Sequence, residues 1–200
     1  MAWQFWQNQE MTVPADGLNA VFTSVNGSPA PDVQGVVYFG NPDSTVKIQD
    51  AGNPNVESIK IFTAQALGEP PRNTELTFGQ QFQVGEYIYV VRQSGTSDAD
   101  IPAYPAGIGS TVSDGYAMLE NIYKAHKIQE VKLALSEQGL DTAIAGGELP
   151  LSSTINGGAS IAIHYRITNS NPAVFNTGNY NQLCLAITNY VESPVDSNGQ

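Results

Sequence analysis

The sequence predicts an all-β protein made of two tandem antiparallel β-sandwiches. Three observations support this fold class: a two-part motif that occurs twice, short runs of alternating apolar residues, and turns rich in Gly, Pro and Asn. The type of residue is kept at most core-facing positions of the motif, although β-rich sequences can also align by chance. The first copy comprises residues 59–61, 75–78 and 87–90, and the second comprises residues 131–133, 148–151 and 160–163.

The N-terminal residues 1–32 are predicted to form an arm and an edge strand. Trp3, Phe5 and Trp6 lie among Gln and Asn and cannot form a core alone. They must therefore dock either on this chain's own body or on a neighbouring subunit. A short strand is predicted over residues 21–25, and Asn26-Gly27 after it indicates a tight turn.

The two sandwich modules are predicted over residues 33–96 and 116–191, with a linker over 97–115 and a polar tail over 192–200. Short strands separated by Gly, Pro and Asn are typical of a sandwich or a barrel. The first module contains strand candidates at 36–39, 45–48, 57–63, 75–78 and 86–92, and the second at 128–135, 148–151, 160–168 and 183–190.

At most one short helix is predicted, between residues 114 and 127. Its apolar residues recur at spacings of three and four, which is the period of one helical face. These residues are Tyr116, Leu119, Ile122 and Tyr123.

The surface is predicted to be polar but weakly charged. Charged residues make up only 14% of the chain, against about a quarter in an average soluble domain. The net charge is -11, and the eight basic residues are scattered along the chain without forming a stripe. Nucleic acid and anionic membranes are therefore excluded as partners.

The N-terminus lacks the features of an export signal. Neither a positively charged segment nor an apolar stretch is found there. The sequence therefore predicts a protein made in the host cytoplasm without a signal peptide. A polar, weakly charged composition together with cytoplasmic synthesis is typical of a protein that leaves the cell on a virus particle.

The sequence carries no recognisable catalytic or metal-binding motif. His126 and His164 have no cysteine, second histidine or carboxylate at metal-ligand spacing, and Cys184 lies in an apolar run typical of a buried, inert thiol. No nucleophile-elbow motif occurs. The expectation is a protein that is not an enzyme and needs neither cofactor nor metal, although a catalytic triad assembled from distant positions stays open.

Two local features leave a binding role open. Asp98 and Asp100, together with Asp114, could offer oxygen ligands to calcium, but the spacing of a dedicated calcium loop is absent. Tyr87 and Tyr89 fall on one face of a predicted strand, where they could stack a sugar or a partner chain. Ordinary sheet packing is the alternative.

Parts of the repeat resemble the immunoglobulin-like β-sandwich modules of tailed-phage virion proteins. The resemblance rests on residues 56–62 and 78–91 and on their echo at 151–165. The resemblance covers much of the chain, but it rests on the pattern of apolar residues and turns more than on a specific sequence motif. What it implies is an immunoglobulin-like fold for both modules and a place in a virion.

The expectation that follows is a non-enzymatic virion structural protein, a capsid decoration or cement protein that forms a homo-oligomer on the shell. Its partner would be the major capsid protein or another virion protein. Trp3, Phe5, Trp6, Tyr87 and Tyr89 are the candidate interaction residues. The alternatives are a tail, baseplate or fibre protein, a carbohydrate-binding or adhesin module, and an unrecognised hydrolase.

Overall fold

The fold is all-β, as predicted. A computed structural model describes residues 2–18, 32–54, 56–168 and 182–195. In these ranges two single-turn 3-10 helices, Ile128–Glu130 and Gln138–Asp141, accompany the strands. The strands are β1 (Gln4–Trp6), β2 (Val33–Gly40), β3 (Val46–Asp50), β4 (Lys60–Gln65), β5 (Glu75–Leu76), β6 (Gln81–Val84), β7 (Tyr87–Gln93), β8 (Gly95–Thr96), β9 (Thr111–Asp114), β10 (Ala117–Lys124), β11 (Val131–Ala134), β12 (Leu149–Pro150), β13 (Thr154–Asn156), β14 (Ser160–Ile167), β15 (Leu183–Ile187) and β16 (Tyr190–Pro194).

Three antiparallel sheets form the body of the molecule. The largest has the order β1-β2-β14-β11, and the other two have the orders β12-β4-β15 and β13-β3-β16. The β2–β14 pairing is the longest, since all eight residues of each strand are in register. Alternate apolar residues of these strands point into one main core, which includes Phe39, Ile48, Ile61 and Ile163.

A separate set of strands lies between β4 and β11 in the chain. These strands form a sheet of order β6-β7-β10-β9 and the small pair β5-β8. We call residues 75–124, which contain them, the insertion. Within the described part of the chain, its strands pair only with one another.

The insertion has a base on the body and a tip away from it. Its own small core consists of Leu76, Tyr89, Val91, Ala117 and Leu119, whereas Ile88 and Tyr123 belong to the main core. Ile88 and Tyr123 are paired at one end of the β7–β10 ladder, and Gln93 and Met118 are paired at the other. The latter end, together with the adjoining turns, is called the tip.

The tandem arrangement of two immunoglobulin-like modules is not confirmed. Strands from the range 33–96 share sheets with strands from the range 116–191: β2 pairs with β14, β3 with β13 and β16, and β4 with β12 and β15. The alternation of apolar residues predicts strands but carries no information on which distant strands pair. The module boundaries remain a prediction, and residues 21–25 and Asn26-Gly27 lie outside the described residues.

The segment predicted to be a short helix is instead strand β10. Its residues alternate between buried and half-buried positions along its whole length, which is the period of a strand at a sheet surface. Asn121 explains the wrong prediction, because a fully buried polar residue occupies one of the inward positions and hides the alternation. The helical spacing of the apolar residues was a coincidence.

Candidate binding site

The aromatic residues of the N-terminal arm dock on this chain's own body. Trp3 and Trp6 are only 6% and 5% exposed. The rings of Trp3 and Phe5 lie 5.7 Å and 5.2 Å from that of Phe39, centroid to centroid, and Trp6 Nε1 donates a hydrogen bond of 3.0 Å to the carbonyl of Gly40. Two docking surfaces were predicted for the arm, this chain's own body and a neighbouring subunit. The structure shows the arm on this chain's own body.

The tyrosine pair predicted on β7 is not an exposed platform. Tyr89 is buried in the core of the insertion, where its hydroxyl donates a 2.6 Å hydrogen bond to the carbonyl of Pro105. Its ring meets that of Tyr104 edge to face at 4.9 Å, and burial raises its pKa. Tyr87 is half-buried and packs against the same core. Tyr89 therefore follows the alternative prediction, in which the residue packs inside the sheet structure and does not stack a ligand.

Among the residues that the structure describes, two other aromatic residues, Phe78 and Tyr116, are strongly exposed, and both lie at the tip. Tyr116 is 82% exposed in the turn between β9 and β10, and Phe78 is 67% exposed in the turn that follows β5. The backbone of Phe78 is fixed there, because its N–H donates to Ser94 Oγ at 2.8 Å. Neither residue was predicted from the sequence as a candidate. The available signal for Tyr116 was the dipeptide Asp114-Gly115 directly before it, which is typical of tight turns.

An open groove of about 450 Å³ adjoins Tyr116 at the tip. Its floor includes Gly115, whose φ of +62° is left-handed and whose added Cβ would lie 2.3 Å from the carbonyl oxygen of Thr96. Only glycine fits this close approach of two backbones. We call this the tip groove; it is lined by Asn73, Thr96, Ser97, Asp98, Ala99, Gly115 and Tyr116.

A buried carboxylate fixes the chain around the tip groove. Asp114 is fully buried and accepts hydrogen bonds from Arg72 Nη1 at 2.9 Å, from the hydroxyl of Tyr104 at 2.7 Å and from the backbone N–H of Asp98 at 2.9 Å. Arg72 Nη2 also donates to the carbonyl of Pro70 at 2.8 Å. Burial, reinforced by the hydrogen bond to Asp114, raises the pKa of Tyr104 to about 12. The carboxylate is thus satisfied inside the protein.

The acidic residues considered as calcium ligands include Asp114 and Asp98, and the carboxylates of these two accept hydrogen bonds from groups of the protein itself. The oxygens of Asp114 bind Arg72, Tyr104 and the backbone of Asp98, and Asp98 Oδ1 accepts from the N–H of Ala99 at 2.7 Å. Within the described ranges, no group of three or more His, Cys, Asp and Glu side chains is placed to hold a metal ion. This arrangement favours a structural role for Asp114.

The histidines and the cysteine occupy separate elements of the body. His126 is nearly buried, and its Nδ1 lies 2.7 Å from Glu130 Oε2. His164 is half-buried on β14 beside the body's surface. Cys184 is half-buried on β15, and burial raises the pKa of its thiol, which favours the inert thiol form.

A second groove, of about 350 Å³, lies on the body, and four of its five lining residues are apolar. Pro150 pairs with Lys60 at the start of β4, whereas the chain enters the insertion after the end of β4. Leu135 likewise follows the end of β11, whereas the chain returns from the insertion at the start of β11. This groove, called the apolar groove, therefore lies at the end of the body away from the insertion; it is lined by Leu135, Pro150, Leu151, Ser152 and Ile161.

The comparisons with known proteins add no relative. Neither a family model, nor a curated protein, nor a solved structure matches this chain. Among the helices of the described residues, none is long and apolar enough to cross a membrane.

Proposed function

We propose that this chain is a non-enzymatic structural protein of a phage virion, a capsid decoration protein that oligomerises on the shell. The observation that carries the proposal is the apolar groove, an open groove at one end of the body in which four of the five lining residues are apolar. A decoration protein needs such a surface on one side for the shell and a different surface on the other side for the surroundings. The tip, with its polar groove, supplies the second surface at the opposite end.

The apolar groove has the composition of an attachment surface. Leu135 is 52% exposed at its rim, and Leu151 and Ile161 are partly buried and continue into the main core. Apolar surface that continues a well-packed core is rigid, so little conformational entropy is lost when a partner covers it. Its charged neighbours, Lys60 and Glu148, are paired with each other at 3.0 Å. Apolar contact would therefore dominate attachment there.

The charge of the remaining surface also supports the proposal of a virion protein. Charged residues make up 14% of the chain, and its net charge is -11. A decoration protein is held at very high local concentration, and a polar surface with net negative charge resists aggregation under those conditions. Because Trp3 and Trp6 are buried against the body, the arm does not offer these rings to the shell, and the proposal assigns attachment to the groove.

The proposal is tested by mass spectrometry of purified virions of the phage that encodes this chain. We expect the chain to be present in a fixed and high copy number relative to the main shell protein. A copy number of a few per particle would assign it to the tail or baseplate instead. Absence from the particles would overturn the proposal.

The role of the apolar groove is tested by adding purified variants to particles that lack this chain. Leu135→Asp places a charge in the groove, and we expect it to reduce occupancy on the particles at least about tenfold. Ile144→Asp is the matched control, because Ile144 is 79% exposed and does not line the groove. Equal occupancy of the two variants would show that another surface attaches the protein.

A further inference from the structure

We infer that the tip groove is a binding site for a neutral carbohydrate, with one sugar ring stacked on Tyr116. This inference goes beyond the proposed structural role and does not depend on it, since it concerns the free chain. It rests on the exposed tyrosine, on the polar groups beside it and on the rigidity of the backbone that carries them.

Tyr116 presents an exposed aromatic ring on a backbone that is held in place. Its side chain is 82% exposed, although its backbone is bound on both sides: its N–H donates to the carbonyl of Thr96 at 2.9 Å, and its own carbonyl accepts from Gln93 Nε2 at 3.3 Å. The C–H face of a pyranose ring is apolar and stacks on such a ring. Because the backbone is held before binding, only the rotation of the Tyr116 side chain is restricted when a ligand covers the ring.

The groove beside Tyr116 offers polar groups for sugar hydroxyls. Asn73, Thr96 and Asp98 line it, and together they provide amide, hydroxyl and carboxylate groups. A sugar hydroxyl that donates to a carboxylate forms a charge-assisted hydrogen bond, which is stronger than a neutral one. Asn73 is held at a φ of +52°, a conformation that asparagine tolerates better than most residues.

The charge of the groove disfavours an anionic ligand. Asp98 is exposed in it, and none of the lining residues is Lys or Arg. Sulfated and carboxylated sugars would be repelled by this carboxylate and by the net charge of -11. The groove volume of about 450 Å³ lies within the range of small-molecule sites.

The buried Asp114 holds the walls of the groove in place. Asp98 is fixed through the hydrogen bond of its N–H to Asp114, Gly115 directly follows Asp114, and Asn73 directly follows Arg72, the ion partner of Asp114. Three groove residues are thus positioned by one buried ion pair. When the residues that contact a ligand are held by such supporting groups, the site does not need to rearrange on binding.

The experiment is saturation-transfer NMR on the full chain with four probes: maltohexaose, cellohexaose, mannohexaose and a heparin hexasaccharide. We expect at least one neutral probe to bind and the sulfated probe not to bind. Tyr116→Ala should weaken the binding of that neutral probe at least about tenfold, and Tyr116→Phe should keep it. Because Tyr116 is exposed, neither substitution should unfold the protein, and far-ultraviolet circular dichroism checks this.

Phe78→Ala is the matched control. Phe78 is the other exposed aromatic residue of the tip, but it does not line the groove, so its removal should leave sugar binding unchanged. The inference is overturned if no neutral probe binds, if the sulfated probe binds better, or if Tyr116→Ala binds as well as the unaltered chain. Equal losses in Phe78→Ala and Tyr116→Ala would also overturn the assignment to this groove.

Discussion

Asp114 shows how a single buried charge can hold the chain around a surface groove. A buried carboxylate is tolerated only when its lone pairs are satisfied by donors and its charge is balanced. Arg72 supplies the balancing charge, and Tyr104 and the backbone of Asp98 supply further donors. Since Arg72 is 23% exposed, removal of Asp114 would leave a largely buried guanidinium without its ion partner.

We therefore expect Asp114→Ala to lower the free energy of unfolding by about 3 kcal/mol. Asp100→Ala is the control, because the Asp100 side chain is exposed and only its backbone carbonyl accepts from Arg72. Its effect should stay within about 0.5 kcal/mol. Urea denaturation of both variants measures the difference, and equal stabilities would show that the ion pair contributes nothing net.

Tyr104, in the same hydrogen-bond network, makes the stability of the fold depend on pH. Its pKa is raised to about 12 in the folded protein, whereas in the unfolded chain it has the ordinary value of 10.0. The folded state therefore keeps a proton that the unfolded state loses, so stability falls as the pH rises from about 10 to about 12. Below pH 10 the contribution is fully present.

We expect Tyr104→Phe to lose less stability than the unaltered chain over that pH window. The urea midpoints of both proteins at pH 9, 10 and 11 would measure it. Tyr165, whose pKa is also raised by burial, provides the comparison, because Tyr165→Phe should flatten the profile as well. Parallel profiles for the unaltered chain and Tyr104→Phe would contradict the raised pKa of Tyr104.

At the scale of elements, the pairing of β2 with β14 depends on a glycine. Gly35 lies opposite Tyr165 in this ladder, and a Cβ on Gly35 would lie 2.4 Å from the ring of Tyr165. The tyrosine ring thus covers the glycine, which compensates for the packing that a strand glycine lacks. Both residues are in the longest pairing of the body.

Gly35→Ala should lower the free energy of unfolding by about 1–3 kcal/mol, because the ring of Tyr165 must move out of a well-packed position. Gly68→Ala is the matched control, since nothing lies within 4 Å of a Cβ at that position. Thermal unfolding of both variants distinguishes them. If Gly35→Ala lowered the stability no more than Gly68→Ala, the ring of Tyr165 would be able to move aside at little cost in free energy.

The sequence predicted individual strands better than their partners. The alternating runs that became β2, β4, β7 and β14 were identified, because each has one apolar face and turn residues at its ends. Strand β10 was missed because Asn121 interrupts its apolar face. Pairing between residues more than 100 apart, as between Phe39 and Ile161, leaves no local trace in one sequence.

The candidate site was harder to predict than the fold. The arm residues and Tyr89 were selected for their aromatic character, but aromatic residues on regular positions are used for packing here. Tyr116 is exposed because it lies in a turn whose geometry depends on Gly115 and on contact with Thr96. That contact joins separate strands, so composition and spacing could not predict the groove.

At the scale of the whole molecule, the distribution of charge predicts how the proposed attachment to a shell would respond to salt. Only eight basic residues are present, and several of them are already paired within the chain: Lys60 with Glu148, Arg72 with Asp114, and Arg166 with Asp141. These cations are not free to form a complementary patch on an acidic shell. Screening by salt therefore has little attraction to weaken.

We expect occupancy on the particles to change less than about threefold between 0.05 M and 1 M NaCl, because apolar contact in the groove is not screened by salt. Occupancy of Leu135→Asp should be low at both salt concentrations, since the buried charge is costly in either case. Repulsion between negatively charged surfaces would make attachment slightly stronger at high salt. Stripping of the unaltered chain by salt, with Leu135→Asp bound equally well at low salt, would instead show that charge holds the protein to the shell and that the apolar groove faces elsewhere.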